Sequence, residues 1–403
     1  MSYVVPEMIW PVTEGRRDGR YFFQNVIEDS HDGRVLVKSH GEMIMLGSYS
    51  YLGLLGHREI GDAAANAIRK YGTGTHGVRL LAGTLPIHGE LERKVAEIKG
   101  CEAAMVLSSG YLTNLTAITS LVGRGDFVVS DKLNHASLVD GCRLSGAHMV
   151  RVNHNDMQDL EEKLKNISTE GNILVVADAV FSMDGDIYDL PRASKICRKY
   201  GALLMLDEAH SLGVIGKTGR GIEEHYSLGP DSYDIKMGTL SKAIPSVGGY
   251  LAASSKIIDM MRHNGRGFIF SAALPPAQAA AALKALEVLQ AETWRVDKLH
   301  RNAAFFRNLL IDQGLETLGS RTAIVPVVCG SDDEAFKVAR GCHEKGIFVQ
   351  AIPAPVVPEG TARLRCCVTA LHSEFDLARC SRVIGQECRE RGIPSTTIHE
   401  MSG

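Results

Sequence analysis

From about residue 100 onward the chain alternates short apolar runs with longer amphipathic stretches. The runs "AAMVLSSG", "DFVVSD", "ILVVADAV", "ALLMLDEAH" and "IKMGTLSK" are rich in Val, Ile, Leu and Met and are bounded by Gly, Asp and Ser, which is how buried strands read. Between them lie helix-like segments such as "DMQDLEEKLKNI" and "LPRASKICRKYG". Strands alternating with helices predict a mostly parallel sheet with helices on both faces, and in such sheets ligands sit at the carboxyl ends of the strands. The residues there are polar: Ser108 and Ser109, Asp131 with His135, Asp178 with Ser182, Asp207 with His210, and Thr239 with Lys242.

After about residue 290 the pattern changes. A long amphipathic helix ("WRVDKLHRNAAFFRNLLIDQG") leads to a strand ("AIVPVVCG"), a helix ("DDEAFKVARGCHEKG"), two further strands ("FVQAI", "ARLRCCVT") and a closing helix from about Ser373, a smaller α+β lobe. Near the amino end "RVLVKSHGEMIMLG" reads as a hairpin; its segment is too short to fold alone and is expected to pack on that lobe or on a partner. The resulting division is an amino-terminal segment (1–57), a large domain (58–290) and a small carboxyl-terminal domain (291–403).

Composition narrows the function classes. A chain of 403 residues with 45% hydrophobic content has room for more than one lobe, since single cores stop growing near 250–300 residues. Lys and Arg total 44 against 47 Asp and Glu, a net charge of -3, so no global positive field is available for a nucleic acid. Nine Cys without a Cys-x-x-Cys pair fit reduced thiols in the cytoplasm. The start, "MSYVVPEMIW", has no basic region of the kind that opens a signal peptide. The most apolar run, "FIFSAALPPAQAAAALKALEVL", is interrupted by Pro275, Pro276, Gln278 and Lys284. A membrane span needs about 18 unbroken apolar residues, so this run is read as a buried or amphipathic helix.

Three motif matches fail on context. "LLMLDEAHSLGVIGKTGRG" holds an Asp-Glu-Ala-His tetrad and a Gly-Lys-Thr, but Ser211 stands at the first Gly of a phosphate loop and no helix start follows. "GTGTHG" (72–77) satisfies Gly-x-Gly-x-x-Gly, yet a helix-like segment precedes it where a dinucleotide site needs a strand. The 15 His, His154 among them, show no metal-ligand spacing.

One chemistry gathers the strand ends: a pyridoxal 5'-phosphate (PLP) site. That cofactor needs a Lys for a Schiff base and an acidic partner for its ring nitrogen. Lys242 lies between a strand end and a glycine pair in "MGTLSKAIPSVGG", with hydroxyls at Thr239 and Ser241. Asp207 ends the very apolar run "ALLMLD", where a carboxylate needs a cationic partner. His210 could bond a phenolic oxygen, Ala209 is small enough to lie against the ring, and His135 is placed to stack on its other face. "SSGYLTN" puts Ser109, Gly110 and Tyr111 at a helix start, which suits an anion.

The ordered stretches "YSYLGLLGH", "GVRLLAGTLPIHGELE", "SSGYLTNL", "DKLNHASLVDG", "VFSMDGDIYDL", "LLMLDEAHSLGVIGKTGRG", "GTLSKAIPSVGGY", "FIFSAALPPA" and "RLRCCVTALHS" resemble the α-oxoamine synthases of the fold-type I PLP enzymes, in that family's order from about residue 45 to 375. The resemblance implies an α/β fold-type I transferase: a large mostly parallel-sheet domain plus a smaller α+β carboxyl-terminal domain. It implies Lys242 as the Schiff-base lysine and the base at the substrate's Cα, Asp207 beside the pyridine nitrogen, His210 and Ser182 near the phenolic oxygen, and His135 on the ring. Gly110, Tyr111 and Thr239 would bind phosphate, assisted by Ser271 from a neighbouring subunit. Arg365, the second Arg of "RLR", would grip the amino acid's carboxylate.

The implied reaction is a decarboxylative condensation of glycine, alanine or serine with an acyl-CoA or acyl-carrier-protein thioester. A homodimer with the active site at its interface comes with the family, as does no metal. An aminotransferase or lyase on the same scaffold is the alternative. Ser50 stands where the family commonly has Asn or Asp near the substrate, Asp178 replaces a common Glu, and Pro245 and Leu371 replace small residues. These departures bear on the substrate's identity.

Overall fold

The computed structural model describes residues 23–30 and 33–393; the opening "MSYVVPEMIW" lies outside them. The chain divides into two compact units, 49–300 and a second formed by 1–48 with 301–403. The amino-terminal strands β1 (Ile27–Ser30), β2 (Arg34–Val37) and β3 (Gly41–Met45) belong to the smaller unit, β2 and β3 forming the expected antiparallel hairpin. The division therefore falls at 48/49 and 300/301, where the pattern had suggested 57/58 and 290/291. Residues 49–57 go with the larger unit for a packing reason. Tyr51, Leu52 and Leu54 are fully buried, and Arg295 Nη1 holds the carbonyl oxygens of Leu52 and Gly53 at 3.1 and 3.3 Å.

The larger unit opens with α1 (Arg58–Tyr71) and α2 (Pro86–Lys99), then alternates: β4 (Ala103–Leu107), α3 (Gly110–Leu121), β5 (Phe127–Asp131), α4 (Ala136–Ser145), β6 (His148–Val152), α5 (Met157–Lys165), β7 (Ile173–Asp178), α6 (Leu190–Lys199), β8 (Leu203–Asp207), β9 (Ile235–Thr239) and β10 (Gly249–Ala253). Its seven strands run in the order β4-β10-β9-β8-β7-β5-β6, parallel from β9 to β6 with β10 antiparallel to both neighbours. The five strands read from apolar runs are all present. Two were not legible: β6, a partly exposed edge strand whose "HMVRV" lacks an apolar block, and β10, which follows β9 too closely to leave a helix between them. α7 (Ser255–Asn264) and α8 (Pro276–Ala291) complete this unit, and the run read as a buried or amphipathic helix forms α8 only from Pro276 on, its first residues lying before that proline and outside α8. Among the described residues no helix is long and apolar enough to cross a membrane.

Helix α9 (Trp294–Ile311) leads into the smaller unit, which adds β11 (Ile324–Gly330), α10 (Asp332–Glu344), β12 (Ile347–Phe348), β13 (Gln350–Ile352), β14 (Ala362–Cys367) and α11 (Glu374–Glu390). The expected strand "FVQAI" is split between two sheets: β12 pairs in parallel with β3, and β13 with β14. Its core is aliphatic and sulfur-rich, with Cys329, Cys342, Cys366, Cys380 and Cys388 buried among Val, Leu, Ile and Phe306.

The larger unit holds a buried ion-pair network. Lys99 Nζ reaches Glu208 Oε1 at 2.6 Å and Glu223 Oε2 at 2.7 Å; Lys236 pairs with Glu223 and donates to the Lys99 carbonyl at 2.8 Å; and the Tyr233 hydroxyl donates to Glu208 at 2.6 Å. Burial pushes the Lys99 ammonium toward neutrality, and the two carboxylates outweigh it, leaving its pKa raised. Glu208, the second letter of the Asp-Glu-Ala-His tetrad, is thus structural. The Gly-Lys-Thr that follows is also committed, since the Thr218 amide and hydroxyl both donate to Glu224, at 2.9 and 2.7 Å. A second ion-pair site fixes the segment after β6: His154 lies 3.1 Å from Asp131 and 3.1 Å from Asp186, edge-on to Phe181. His154, Asp184 and Asp186 bring ligand atoms within 4.8 Å of one another. Burial lowers the His154 pKa, but Asp131 and Asp186 reverse this and raise it to about 10, so the ring is a cation paired with carboxylates at neutral pH.

Two predictions follow from these networks. Removing one partner of a buried pair leaves an uncompensated charge, so Glu223→Ala, which strands Lys236, is expected to cost about 3–5 kcal/mol in urea unfolding; a loss below about 1 kcal/mol would contradict the network's role. For His154, the folded-state pKa of about 10 stands above the unfolded value of 6.5. Its contribution is therefore complete below pH 6.5 and fades as pH rises through 10. The melting temperatures of wild type and His154→Gln should differ most at pH 6 and converge near pH 10.5; a gap that stays constant with pH would rule the charge out.

Candidate active site

Strand register sets the site. Leu107 of β4 pairs with Gly249, which also pairs with Thr239 of β9; Met237 pairs with Asp207 of β8, and Asp207 with Asp178 of β7. The polar residues picked from the run ends therefore lie along one edge of one sheet. Asp178 and Asp207 are both buried, 4% and 3% exposed. Desolvation first, and the Asp207 charge second, push the Asp178 carboxyl well above its ordinary range; the His135 N–H and Lys242 pull the other way. Two carboxylates side by side in a dry place call for a cation.

Each carboxylate is held by donors from the neighbouring helix starts. Asp207 accepts from Asn114 Nδ2 at 2.7 Å and from the Ala209 N–H at 2.8 Å. Asn114 Nδ2 also donates to Ser137 Oγ at 2.8 Å, and Ser137 Oγ lies 2.7 Å from His135 Nδ1. Asp178 accepts the His135 N–H at 2.7 Å, while its own N–H donates to Asn134 Oδ1 at 3.0 Å. His135 caps α4 and keeps an exposed ring. A chain of contacts thus runs from Asp207 through Asn114 and Ser137 to His135. Ser182 sits in the turn after β7.

At the β4–α3 junction Ser109 caps the helix, its hydroxyl accepting the Leu112 N–H at 3.2 Å. The first-turn N–H groups of Gly110 and Tyr111 have no partner within the helix, and they stand beside Thr239: a Cβ at Gly110 would come within 3.1 Å of Thr239 Oγ1, and one at Gly249 within 2.9 Å of the Gly110 Cα. Two glycines are what let a helix start approach these strand ends. Within the chain, Ser271 Oγ lies 3.3 Å from Ser108 Oγ.

Lys242 is half-buried, its Nζ 2.7 Å from His210 Nε2; the other ring nitrogen, Nδ1, is 2.8 Å from the Tyr51 hydroxyl. Tyr49 lies edge-on to His210 at 5.9 Å, and Lys242 Nζ stands 5.7 Å from the Tyr49 ring centre. Ser50, 5% exposed, is carried between them. Arg365, 6% exposed, is on β14 and belongs to the smaller unit, whereas every other candidate belongs to the larger.

Reading strand ends found Asp207, His210, Thr239, Lys242, His135 and the Ser109–Tyr111 turn. It missed Tyr51, Asn114 and Ser137 as parts of the site. Asn114 had a usable signal: it lies four residues after Gly110, one turn along α3, so it shares the helix face at which that turn begins. Tyr51 had none, because a Tyr inside a short apolar loop reads as core.

These residues fit PLP. Asp207 offers a buried carboxylate, and Asn114 Oδ1 beside it is a buried acceptor with no hydrogen-bond partner among the described residues; a protonated ring nitrogen is the kind of group that such a pair takes. Glycine-lined N–H groups with Thr239 suit a phosphate, and a half-buried Lys suits an aldehyde.

The comparisons agree with this chemistry. Residues 41–384 match the family model for aminotransferase class I and II. The chain is 44% identical, over 94% of its length and 97% of the relative's, to 8-amino-7-oxononanoate synthase of Geobacter sulfurreducens. It is 39% identical, over 91% of both chains, to serine palmitoyltransferase of Sphingobacterium spiritivorum. A solved structure of SPT with PLP is 31% identical, has a TM-score of 0.91 and covers 95% of this chain and 97% of that one. With fold-type I architecture, a matching donor set and relatives of one reaction type, the chain belongs to the α-oxoamine synthases, the PLP-dependent acyltransferases of the class I and II aminotransferase fold.

Proposed function

We propose that this enzyme joins a small amino acid (glycine, alanine or serine) to an acyl thioester, with loss of the amino acid's carboxylate as carbon dioxide, and that the strand-end residues above are its machinery. The observation that carries the reading is the juxtaposition, on one sheet edge, of the buried Asp207–Asp178 pair with the Lys242–His210 pair. PLP, when bound, supplies an electron sink for negative charge at the substrate's Cα. The chain's own residues do the rest. Asp207, oriented by Asn114 and the Ala209 N–H, holds positive charge at the ring nitrogen. Gly110, Tyr111 and Thr239 would bind the phosphate, with Ser109 fixing the helix start and Ser271 of a neighbouring subunit assisting. His135, held in place by Ser137 and Asp178, would cover one ring face; Ala209 is small enough to lie against the other, and Ser182 would face the phenolic oxygen. Lys242 Nζ would hold the cofactor's aldehyde carbon, and its free amine would be the base for the proton at the substrate's Cα.

The substrate's carboxylate is assigned to Arg365 by the resemblance alone, a planar guanidinium being suited to a two-point grip. The relatives' printed names bracket the substrates. An 8-amino-7-oxononanoate has a methyl and an amine on the carbon beside its ketone, which is alanine less its carboxylate joined to a seven-carbon acyl chain; the other name states serine and a palmitoyl group. Ser50 is the candidate that discriminates among such side chains. A homodimer, a cytoplasmic location and a choice between CoA and carrier-protein donors stay with this proposal.

Purified protein supplied with PLP is expected to release thiol from an acyl-CoA when glycine, alanine or serine is present. A PLP-loaded protein that exchanges amino groups with keto acids and releases no thiol would instead be an aminotransferase. Lys242→Ala should lose the visible absorbance of bound PLP and at least about 10³-fold in thiol release; a variant that keeps both would remove Lys242 from the site.

A further inference from the structure

His210 is gripped at both ring nitrogens. Nε2 faces Lys242 Nζ at 2.7 Å, and Nδ1 faces the Tyr51 hydroxyl at 2.8 Å. His210 is 4% exposed and Tyr51 is fully buried. The loop that carries Tyr51 is itself fixed, by Arg295 on the Leu52 and Gly53 carbonyls and by Leu52 packed against the backbone at Gly213. A neutral imidazole has one N–H, and which nitrogen bears it is set by the hydrogen bond the other makes. A phenol O–H is a stronger donor than a neutral imidazole N–H, so once Lys242 Nζ is committed to the cofactor's aldehyde carbon instead of donating to Nε2, the favoured arrangement has the Tyr51 hydroxyl donating to Nδ1 and the ring proton on Nε2.

We infer that Tyr51 is a positioning residue for the reaction: its hydroxyl pins the His210 ring and keeps the proton on Nε2, the nitrogen turned toward Lys242 and the cofactor. This rests on the PLP reading. An Nε2–H there would donate to the cofactor's phenolic oxygen and favour its ionised form. The opposite tautomer would turn a lone pair on an oxygen that is already negative. Tyr51, Tyr49 and Lys242 all face the His210 ring, and the Tyr51 hydroxyl meets Nδ1.

The test is Tyr51→Phe, which keeps the ring and removes one oxygen. In PLP-loaded protein the pH midpoint of the visible absorption band is expected to move by about half a unit or more, and kcat to fall about tenfold with KM for the amino acid changed less than about twofold. Added to His210→Asn, Y51F should move the midpoint no further, because Tyr51 acts through that ring. A folded, loaded Y51F with the wild-type midpoint overturns the proposal, and so does a double variant whose two shifts add. Should Y51F not fold, ¹⁵N-histidine NMR of the wild type decides: His210 protonated on Nε2 supports it, and His210 protonated on Nδ1 overturns it. A wild type that binds no PLP fails the reading beneath instead, and is recognised by the absence of any visible band.

Discussion

Two carboxylates at adjacent strand ends govern this molecule. Asp178 and Asp207 are partners in the β7–β8 ladder, so the parallel register that builds the sheet also brings the charges together. Buried like this they raise each other's energy, and the surroundings answer with donors: Asn114, the Ala209 N–H, the His135 N–H and the nearby Lys242. Helix α3 must then start where Asn114 can reach Asp207, which requires glycine at 110 and 249. Helix α4 must start where His135 can give its N–H to Asp178. The glycine-lined helix start and His135 are both set in place by the same pair of acids.

The sheet separates two kinds of electrostatics. At its carboxyl edge the charges of the larger unit are arranged to receive a cationic group, and one buried acceptor, Asn114 Oδ1, is left over for it. Behind that edge Lys99, Glu208, Glu223 and Lys236 are matched among themselves, with Tyr233 filling a remaining bond. The first arrangement is built for a ligand and the second is closed.

Much of this was legible from residue patterns, for a physical reason. A parallel sheet buried on both faces needs long apolar runs, and the polar residue ending such a run must be at the ligand edge; Asp207, Thr239 and Lys242 were found that way. β6 and β10 escaped because an edge strand need not be apolar, and a tight antiparallel return needs no helix. The hairpin at 34–45 was visible as alternation, while the joining of residues 49–57 to the larger unit depended on where Arg295 would come to lie, which is a long-range matter. Asn114, Ser137 and Tyr51 were missed because their importance lies in a partner distant in sequence. Arg365 was reached only through family resemblance, since a strand-borne arginine has no local signature.

The tetrad at 207–210 contains one further consequence. Successive residues leaving a strand face opposite ways, and here Asp207 serves the ligand edge while Glu208 serves the closed network. The two acids are chemically near-identical and one position apart, so the chain distinguishes them by phase alone. A single residue deleted from β8 would set Glu208 in the place of Asp207 and Ala209 in the place of Glu208, whereas one inserted would set Asp207 against the lysines and Leu206 at the ligand edge. This strand is therefore the place where the protein tolerates changes of letter more readily than changes of length.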